Sequence, residues 1–415
     1  MKIALFIFFC CISAFSQAQV WRSELPFSYE SGNRLSISGN YKFGSDAITN
    51  EFAQAYFLNK FIGTELKDNV SSNLKEKNRF GADYNFNIEF RSEADTIMGI
   101  SGASFIFNFS NRYFLDSRFP GDAFELYFRG NKMFEGQTAD IGKFELNAFR
   151  YQQVSAGIEI QRSANKSSSC YALISLNRGI DYFGIRTNES SLFTAQDGFY
   201  MDLGLDMEIR QSDSLRRRFQ GAGASLSAGW SAEFSSSSQL TAYFQNLGFI
   251  NWGSRSAYIP VDTSFRFEGI DVSELFNFSD SVRGIVDNDS AYIQAFLTNR
   301  KKESFIMKTP ARIGMNYYKK FDGDRMIAGA GIEHVLFYNT GFSGWTEFRY
   351  KTGKYHHTGV KLLYGLYGNL DAGLSYLLHI PGNFTVMLQS DYLVGMLTGS
   401  KGKAQGAFVS LSKTF

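Results

Sequence analysis

Apolar and polar residues alternate along many segments of this chain. In residues 82–91, aromatic and aliphatic side chains occupy every second position, and acidic, amide or basic side chains lie between them. The same pattern runs through 201–210, 222–234 and 370–379. Because successive side chains of a β-strand point to opposite faces, each segment predicts a strand with one apolar and one polar face.

The beginning of the chain has the pattern of an export signal. Residues 3–15 are apolar or small and follow the positive charge of Lys2. The small residues around Ala18 are of the kind that a signal peptidase reads, whereas thirteen apolar residues are too few for a helix that crosses about 30 Å of hydrocarbon. We therefore expect a signal peptide over 1–18 and one mature domain over 19–415.

The end of the chain predicts a strand that faces lipid. In 405–415, Leu411 and the final Phe415 share one face, and Ser410 and Ser412 lie on the other. An export signal combined with a terminal strand that ends on an aromatic residue is typical of bacterial outer-membrane barrels. We therefore expect the cell outer membrane as the location.

The bulk of the apolar faces distinguishes a transmembrane barrel from a water-soluble sandwich. A water-soluble sandwich also alternates, but aromatic residues make up 16% of this chain, and 42 residues are Phe. A transmembrane barrel needs this material for its apolar belt and its aromatic girdles. In lipid every backbone group must be paired internally, so the strands must close into a ring. The predicted fold is all-β, a closed antiparallel transmembrane β-barrel of about 14–16 strands, with short helices in outward loops.

Sixteen candidate strands follow from the alternation. They are 34–43, 80–91, 98–110, 152–162, 170–180, 190–196, 199–210, 221–234, 239–246, 310–319, 326–337, 344–351, 355–364, 369–379, 383–391 and 405–415. Segment 190–196 alternates poorly. If one hairpin is dropped from the series, fourteen strands remain.

Long and short connections alternate along this series, as they do in barrels whose two termini are periplasmic. The long connections 44–79, 111–151 and 247–309 all fall on the side that would face outward. Within 46–75, apolar residues recur at helical spacing and predict two amphipathic helices that break near Gly63.

Charge and motif content exclude several functions. The 42 basic and 40 acidic residues leave no strongly basic face for nucleic acid. Of the four histidines, His356 and His357 are adjacent on a strand and point to opposite faces, so they do not share one metal ion. No Gly-x-Ser-x-Gly elbow occurs, and the sequence predicts neither a cofactor nor a catalytic site.

Charged residues on the polar faces are candidates for lining the lumen. The alternative interpretation is structural ion pairing that stiffens the wall. Mixed signs indicate no strong selectivity for anions or cations. The candidate lumen lining comprises Asp83, Glu89, Arg91, Asp202, Asp206, Glu208, Arg210, Arg312 and Glu333, and further inward charges are expected at Glu347, Arg349, Lys361 and Asp371. Four aromatic residues of the 46–75 segment, Phe52, Tyr56, Phe57 and Phe61, form a candidate plug.

Several short stretches resemble an uncharacterised family of outer-membrane barrels from Gram-negative bacteria with a type IX secretion system. They include 78–84, 128–132, 136–140 and 147–149. The run 246–252, Asn-Leu-Gly-Phe-Ile-Asn-Trp, is also similar to the wider superfamily of long-chain fatty-acid transporter-like barrels. That resemblance implies a fourteen-stranded barrel, and it carries over no established functional residues.

Two functions are compatible with these observations. The first is a transporter or channel for a small, hydrophobic solute, whose partners are that solute and outer-membrane lipid. The second is a barrel that does not transport but serves as an accessory or docking subunit of a secretion or surface-assembly complex. In that case protein partners would bind through the 253–309 loop.

Overall fold

The computed structural model describes residues 32–97, 99–164, 166–213, 219–267, 299–323, 325–365 and 367–415. The expected signal peptide and the central part of the 253–309 loop lie outside these residues. The first ten strands are β1 (Arg34–Ser45), β2 (Lys77–Ile97), β3 (Ile100–Pro120), β4 (Gln137–Asp140), β5 (Glu145–Ala164), β6 (Lys166–Thr187), β7 (Ser191–Thr194), β8 (Met201–Gln211), β9 (Gly221–Ser235) and β10 (Ser238–Trp252). The others are β11 (Ala257–Phe267), β12 (Lys301–Lys302), β13 (Phe305–Lys308), β14 (Arg312–Phe321), β15 (Met326–Val335), β16 (Phe342–Lys351), β17 (His356–Gly365), β18 (Asn369–Ile380), β19 (Phe384–Ser390) and β20 (Ala404–Thr414). The helices are α1 (Asn50–Phe57), α2 (Thr64–Ser71), α3 (Gly121–Arg129) and α4 (Leu393–Leu397).

Fourteen of the described strands close into one antiparallel ring. Its order is β1, β2, β3, β5, β6, β9, β10, β14, β15, β16, β17, β18, β19 and β20, with β20 returning to β1. The closing pair runs in continuous register from Arg34 opposite Thr414 to Gly44 opposite Ala404. A closed ring has no unpaired edge, which satisfies the hydrogen-bonding demand that lipid imposes.

The two faces of the wall differ as the alternation predicts. Leu411 on β20 and Phe415 directly after it are exposed on the outside, whereas Ser410, Ser412 and Thr414 are buried on the inside. Large apolar side chains stand exposed on the outer faces of many other ring strands. Examples are Phe107, Ile174, Leu226, Met315, Ile332, Leu362 and Leu374. This outer surface is an apolar belt, and the inner surface is polar and buried. Within the described part of the chain, no helix has the length and apolar character needed to cross a bilayer.

Two of the sixteen predicted strands fall outside the ring, which corrects part of the sequence prediction. Segments 190–196 and 199–210 correspond to β7 and β8, which extend the sheet beyond the end of β6. β8 alternates as cleanly as a wall strand because its apolar face, including Leu203 and Ile209, packs against Leu126 and Ile141 in a hydrophobic cluster. Fourteen wall strands, the smaller of the two predicted numbers, is therefore the observed count.

Several wall strands are longer than predicted at the end where the long connections lie, which we call the outer rim. β3 reaches Pro120 and β10 reaches Trp252, well beyond the predicted ends at 110 and 246. The alternation fails there because the inner face becomes aromatic, and because register shifts interrupt β6 beside Arg150 and β10 at Asn246. Pairing of the backbone continues where the polarity pattern does not.

The predicted helices of 46–75 are confirmed. α1 and α2 are separated by a turn, and Gly63 is the N-cap residue of α2. Together with α3 they bury Phe52 and Val70 against Phe119. Phe119 lies on the outer face of β3, because it has the same parity as the exposed Phe107. The helices therefore cover the outside of the wall at the outer rim.

Candidate functional site

A guanidinium group bridges the lumen. Arg312 on β14 pairs through Nη2 with Asp83 on β2, and its Nη1 lies 3.1 Å from Glu333 Oε1 on the neighbouring strand β15. β2 and β14 are six strand steps apart around the ring in one direction and eight in the other. Tyr243 on β10 donates a 2.9 Å hydrogen bond to the second oxygen of Glu333. Strands from nearly opposite sides of the barrel thus meet at one buried ionic centre.

A cavity of about 170 Å³ adjoins this centre. Its wall combines charged groups with aromatic rings, among them those of Tyr318, Trp345, Tyr392 and Phe408. An engineered protein cavity of about 150 Å³ holds one benzene molecule. This cavity therefore has the size of a small ring compound or of several water molecules.

The charges around the cavity balance. Lys361 Nζ lies 3.1 Å from Asp391 Oδ1, and Arg349 Nη2 lies 3.0 Å from Glu347 Oε1. With Lys42 and the Arg312 centre, four cationic and four anionic side chains line the same space. A charge buried without a partner is costly, so this pairing compensates the charges that the wall buries and gives the cavity no net sign.

Aromatic side chains fill the lumen between the cavity and the outer rim. Phe114 on β3 borders both regions, and its ring centre lies 4.7 Å from that of Tyr338 in the β15–β16 loop. Tyr182 packs against Phe305 at 5.0 Å and against Trp252 at 5.7 Å. We call this set the aromatic layer. Its buried members are Phe114, Phe149, Tyr151, Tyr182, Ile250, Trp252, Phe305 and Val335, with Met307 and Tyr338 packed against them.

Two loops close over the aromatic layer and are tied to the opposite wall. The carboxylate of Asp116 on β3 accepts hydrogen bonds from the backbone N–H of Asn339 at 3.1 Å and from its Nδ2 at 2.7 Å. It also accepts one from Tyr367 Oη at 3.2 Å, in the β17–β18 loop. Arg79 on β2 donates to the backbone carbonyls of the same two loop residues. Asp116 and Arg79 therefore hold both loops across the outer end of the lumen, which we call the outer mouth. We call these hydrogen bonds the Asp116 latch.

Amide and hydroxyl groups fill the remaining side of the lumen. Gln153 Nε2 on β5 donates to Asn177 Oδ1 at 3.1 Å, to Ser225 Oγ at 2.8 Å and to Asn246 Oδ1 at 3.1 Å. All four residues are buried, and they join β5, β6, β9 and β10. A wide water-filled pore would leave such side chains exposed, so in this state the lumen is filled on this side.

The structure places the predicted lumen residues in two groups. Asp83, Arg312 and Glu333 form the ionic centre described above. Glu89 and Arg91 lie further along the inner face of β2, where Arg91 forms an ion pair with buried Glu159 of β5. These five residues lie on the inner wall. Of the further inward charges, Asp371 on β18 accepts 2.9 Å hydrogen bonds from the backbone N–H groups of Val394 and Gly395 and so holds the start of α4.

The other four predicted lumen residues need a correction. Asp202, Asp206, Glu208 and Arg210 lie on β8, beyond the ring, so they are not part of the barrel wall. Arg210 still approaches the aromatic layer, with its guanidinium 5.8 Å from the ring centre of Phe305. Asp202 faces solvent, and hydrogen bonding to the Arg266 guanidinium holds its pKa below the usual range.

The plug candidates also lie elsewhere than predicted. Phe52 and Tyr56 contact the ring of Phe128 at the end of α3, outside the wall. Phe57 and Phe61 are exposed. None of these four residues lines the cavity. The structure therefore places the 46–75 segment beside the lumen rather than inside it, because its apolar face packs on the outer faces of β2 and β3.

The two adjacent histidines on β17 have different contacts, as expected for neighbours that point to opposite faces of a strand. His356 Nδ1 lies 2.7 Å from Tyr376 Oη, and His357 meets His379 with ring centres 5.6 Å apart. Among the described residues, no group of three or more His, Cys, Asp or Glu side chains is placed to hold a metal ion.

Sequence reasoning missed the aromatic layer and the latch. Tyr151, Trp252 and Phe305 belong to segments whose alternation is broken, so the pattern does not predict whether they face the lumen or the lipid. Asp116 lies in what looked like a loop. A usable signal was present in the middle of the wall: Tyr243 and Tyr318 occupy polar-face positions of otherwise regular strands, which places an aromatic ring inside the lumen.

Residues 14–391 match the model of a protein family described as a family of unknown function, DUF5723. The chain belongs to this family. No curated protein matches it. Among solved structures it is similar to the Pseudomonas putida toluene transporter TodX, at 7% identity over 93% of this chain and 91% of that one, with a TM-score of 0.42. It is also similar to the Ralstonia pickettii toluene transporter TbuX (8% identity, 93% and 90% covered, TM-score 0.45) and to a Pseudomonas aeruginosa FadL homologue (10% identity, 93% and 90% covered, TM-score 0.41).

Proposed function

We propose that this DUF5723 protein is a gated transport barrel of a Gram-negative outer membrane, and that the structure is its closed state. Its solute is small and combines an apolar ring or chain with a polar group. The observation that carries the proposal is the central cavity, whose wall pairs aromatic rings with balanced charges. A net charge in that wall would favour an ion, whereas this lining suits a neutral or zwitterionic amphipathic molecule.

The proposed path has two barriers. From outside, a solute meets the Asp116 latch and the aromatic layer, and below the cavity it meets the hydrogen-bonded and ion-paired inner wall. Opening requires the loop that carries Tyr338 to move, because its ring packs on Phe114 and Phe149. Access from either side then depends on side-chain and loop motion rather than on a permanent pore.

The test uses the purified full-length protein in planar bilayers and in proteoliposomes. We expect rare, small openings in single-channel recordings, and uptake of an aromatic amino acid that exceeds uptake of an equally large sugar. Ser343 lines the cavity, so Ser343→Phe should fill the cavity and reduce this uptake, while Ser237→Phe in the β9–β10 turn should leave it unchanged. Equal uptake by all three proteins would exclude the cavity as a solute site.

A second candidate function rests on the filled lumen. A barrel that serves only to dock partners of a secretion or surface-assembly complex needs no path, and its interior can be packed for stability. Purification from the native membrane in mild detergent distinguishes the transport function from the docking function. A stoichiometric protein partner without conductance or uptake would favour docking, and the 253–309 loop would be the first surface to test.

A further inference from the structure

The end of helix α1 and the turn after it carry apolar side chains that the described structure leaves exposed. Phe61 is 91% exposed, Phe57 is 57% exposed, and Leu58 is 40% exposed. The other side of the helix is buried, since Phe52 packs on Phe124 and Phe128. Three large apolar groups exposed within five residues need a partner in the native setting.

The exposed side of α1 lies next to the outer face of β20. Gln54, Phe57 and Leu58 follow one another at helical spacing and lie on one face of the helix. Gln54 Nε2 donates a 3.3 Å hydrogen bond to Gln405 Oε1 on β20, and Gln405 Nε2 donates one of 3.1 Å to Tyr41 Oη on β1. Gln405 has the same parity as Leu411 and Phe415, so it lies on the outer face of β20.

The height of this contact matches the edge of the apolar belt. Ten residue steps along β20 and its continuation lead from Gln405 to Phe415. At about 3.3 Å per residue and a tilt of about 40°, they rise by about 25 Å, which is the height of the belt of a transmembrane barrel. If Phe415 marks the lower girdle, Gln405 and the end of α1 lie at the outer boundary of the membrane.

We infer that the α1 end, defined as residues 56–62, is an interfacial anchor that inserts into the outer leaflet beside β1 and β20. The occupant of this apolar surface is lipid, because the surface continues the lipid-facing belt at the height where the belt ends. Aromatic and aliphatic groups at the edge of an amphipathic helix enter the boundary between headgroups and acyl chains in this way. The inference rests on the barrel spanning a membrane but not on transport.

The experiment measures which quencher reaches a label at Phe61. Full-length protein in which Cys10, Cys11 and Cys170 are replaced by Ser receives one cysteine, Phe61→Cys, which is labelled with nitrobenzoxadiazole, and the protein is reconstituted in bilayers. The same is done at Leu362 on the outer face of β17, as the lipid reference, and at Phe199 beyond the ring, as an exposed aromatic in water. Quenching is measured with a lipid that carries a nitroxide near the headgroup and with aqueous iodide. Retention of the folded form on unheated gels checks each variant.

We expect the Phe61 label to be quenched by the nitroxide lipid as the Leu362 label is, and several-fold more strongly than the Phe199 label. Quenching by iodide to the same extent as at Phe199 would overturn the anchor. Protection from both quenchers would also overturn it, because a protein or a second copy would then cover the surface. Absence of lipid quenching at Leu362 would instead show that the barrel itself is not embedded.

Discussion

Arg312 is the residue on which most of the inner wall converges. It is 7% exposed and holds two carboxylates, Asp83 from across the lumen and Glu333 from the next strand. Removing one partner of a buried pair leaves the other charge buried and uncompensated, which costs about 3–5 kcal/mol.

We therefore expect Arg312→Gln to lower the free energy of unfolding by about 3 kcal/mol. Denaturant titration in detergent, with the unheated gel shift as readout, measures the change. The control is Arg150→Gln, because Arg150 pairs with Asp181 in an ion pair in which both side chains are 48% exposed. Such pairs contribute about 0–1 kcal/mol. Equal effects of the two substitutions would show that the lumen pair is screened by water.

Asp116 acts on the mouth rather than on the wall. Asp116→Ala removes the acceptor of the hydrogen bonds from Asn339 and Tyr367, so the β15–β16 and β17–β18 loops lose their attachment to β3. We expect faster amide hydrogen exchange in 336–341 and more frequent channel openings, with unchanged exchange in the wall strands. Asp181→Ala, at an exposed carboxylate, is the control. Unchanged exchange in 336–341 would mean that the packing of Tyr338 alone holds the loop.

At the scale of elements, glycines make room for the inward aromatic rings. A Cβ on Gly331 would lie 2.4 Å from Asn316 Oδ1 and 2.5 Å from the Trp345 ring, and one on Gly329 would lie 2.5 Å from the Tyr318 ring. On β15, the Gly-Ala-Gly pattern of 329–331 thus leaves room for one aromatic side chain from each adjacent strand. This explains how a fourteen-stranded ring accommodates so many rings in its lumen.

Gly331→Ala should therefore destabilise the barrel by about 1–3 kcal/mol, the usual cost of overpacking. The control is Gly204→Ala on β8, where the nearest atom to an added Cβ is Ser191 Oγ at 3.8 Å. Denaturant midpoints of both variants give the comparison. If Trp345→Ala does not relieve the effect of Gly331→Ala in the double variant, the ring is not the obstacle.

The sequence predicts the wall well and the contents of the lumen poorly, for a physical reason. Lipid and lumen impose a two-residue period on every strand that crosses the belt, and this period can be read directly, as in β2 or β18. Beyond the belt that constraint ends. β8 keeps the period because it packs on α3, although it lies outside the ring, and β10 loses it because Ile250 and Trp252 turn an apolar face inward. Cross-lumen pairs such as Arg312 with Asp83 join residues 229 positions apart, and no local pattern contains that information.

At the scale of the whole molecule, the position of the 46–75 segment distinguishes a barrel closed by a plug from one closed by its own wall and loops. A plug made of this segment would block the lumen directly, and removing its aromatic groups would raise permeability. The observed lumen is instead closed by the wall's own side chains and by the loop that carries Tyr338. We therefore expect the double substitution Phe57→Ser and Phe61→Ser to leave solute uptake by proteoliposomes unchanged. Asp116→Ala should raise that uptake, because it releases the mouth. Increased solute uptake by the double Ser variant, with an intact gel shift, would show that the 46–75 segment blocks the solute path.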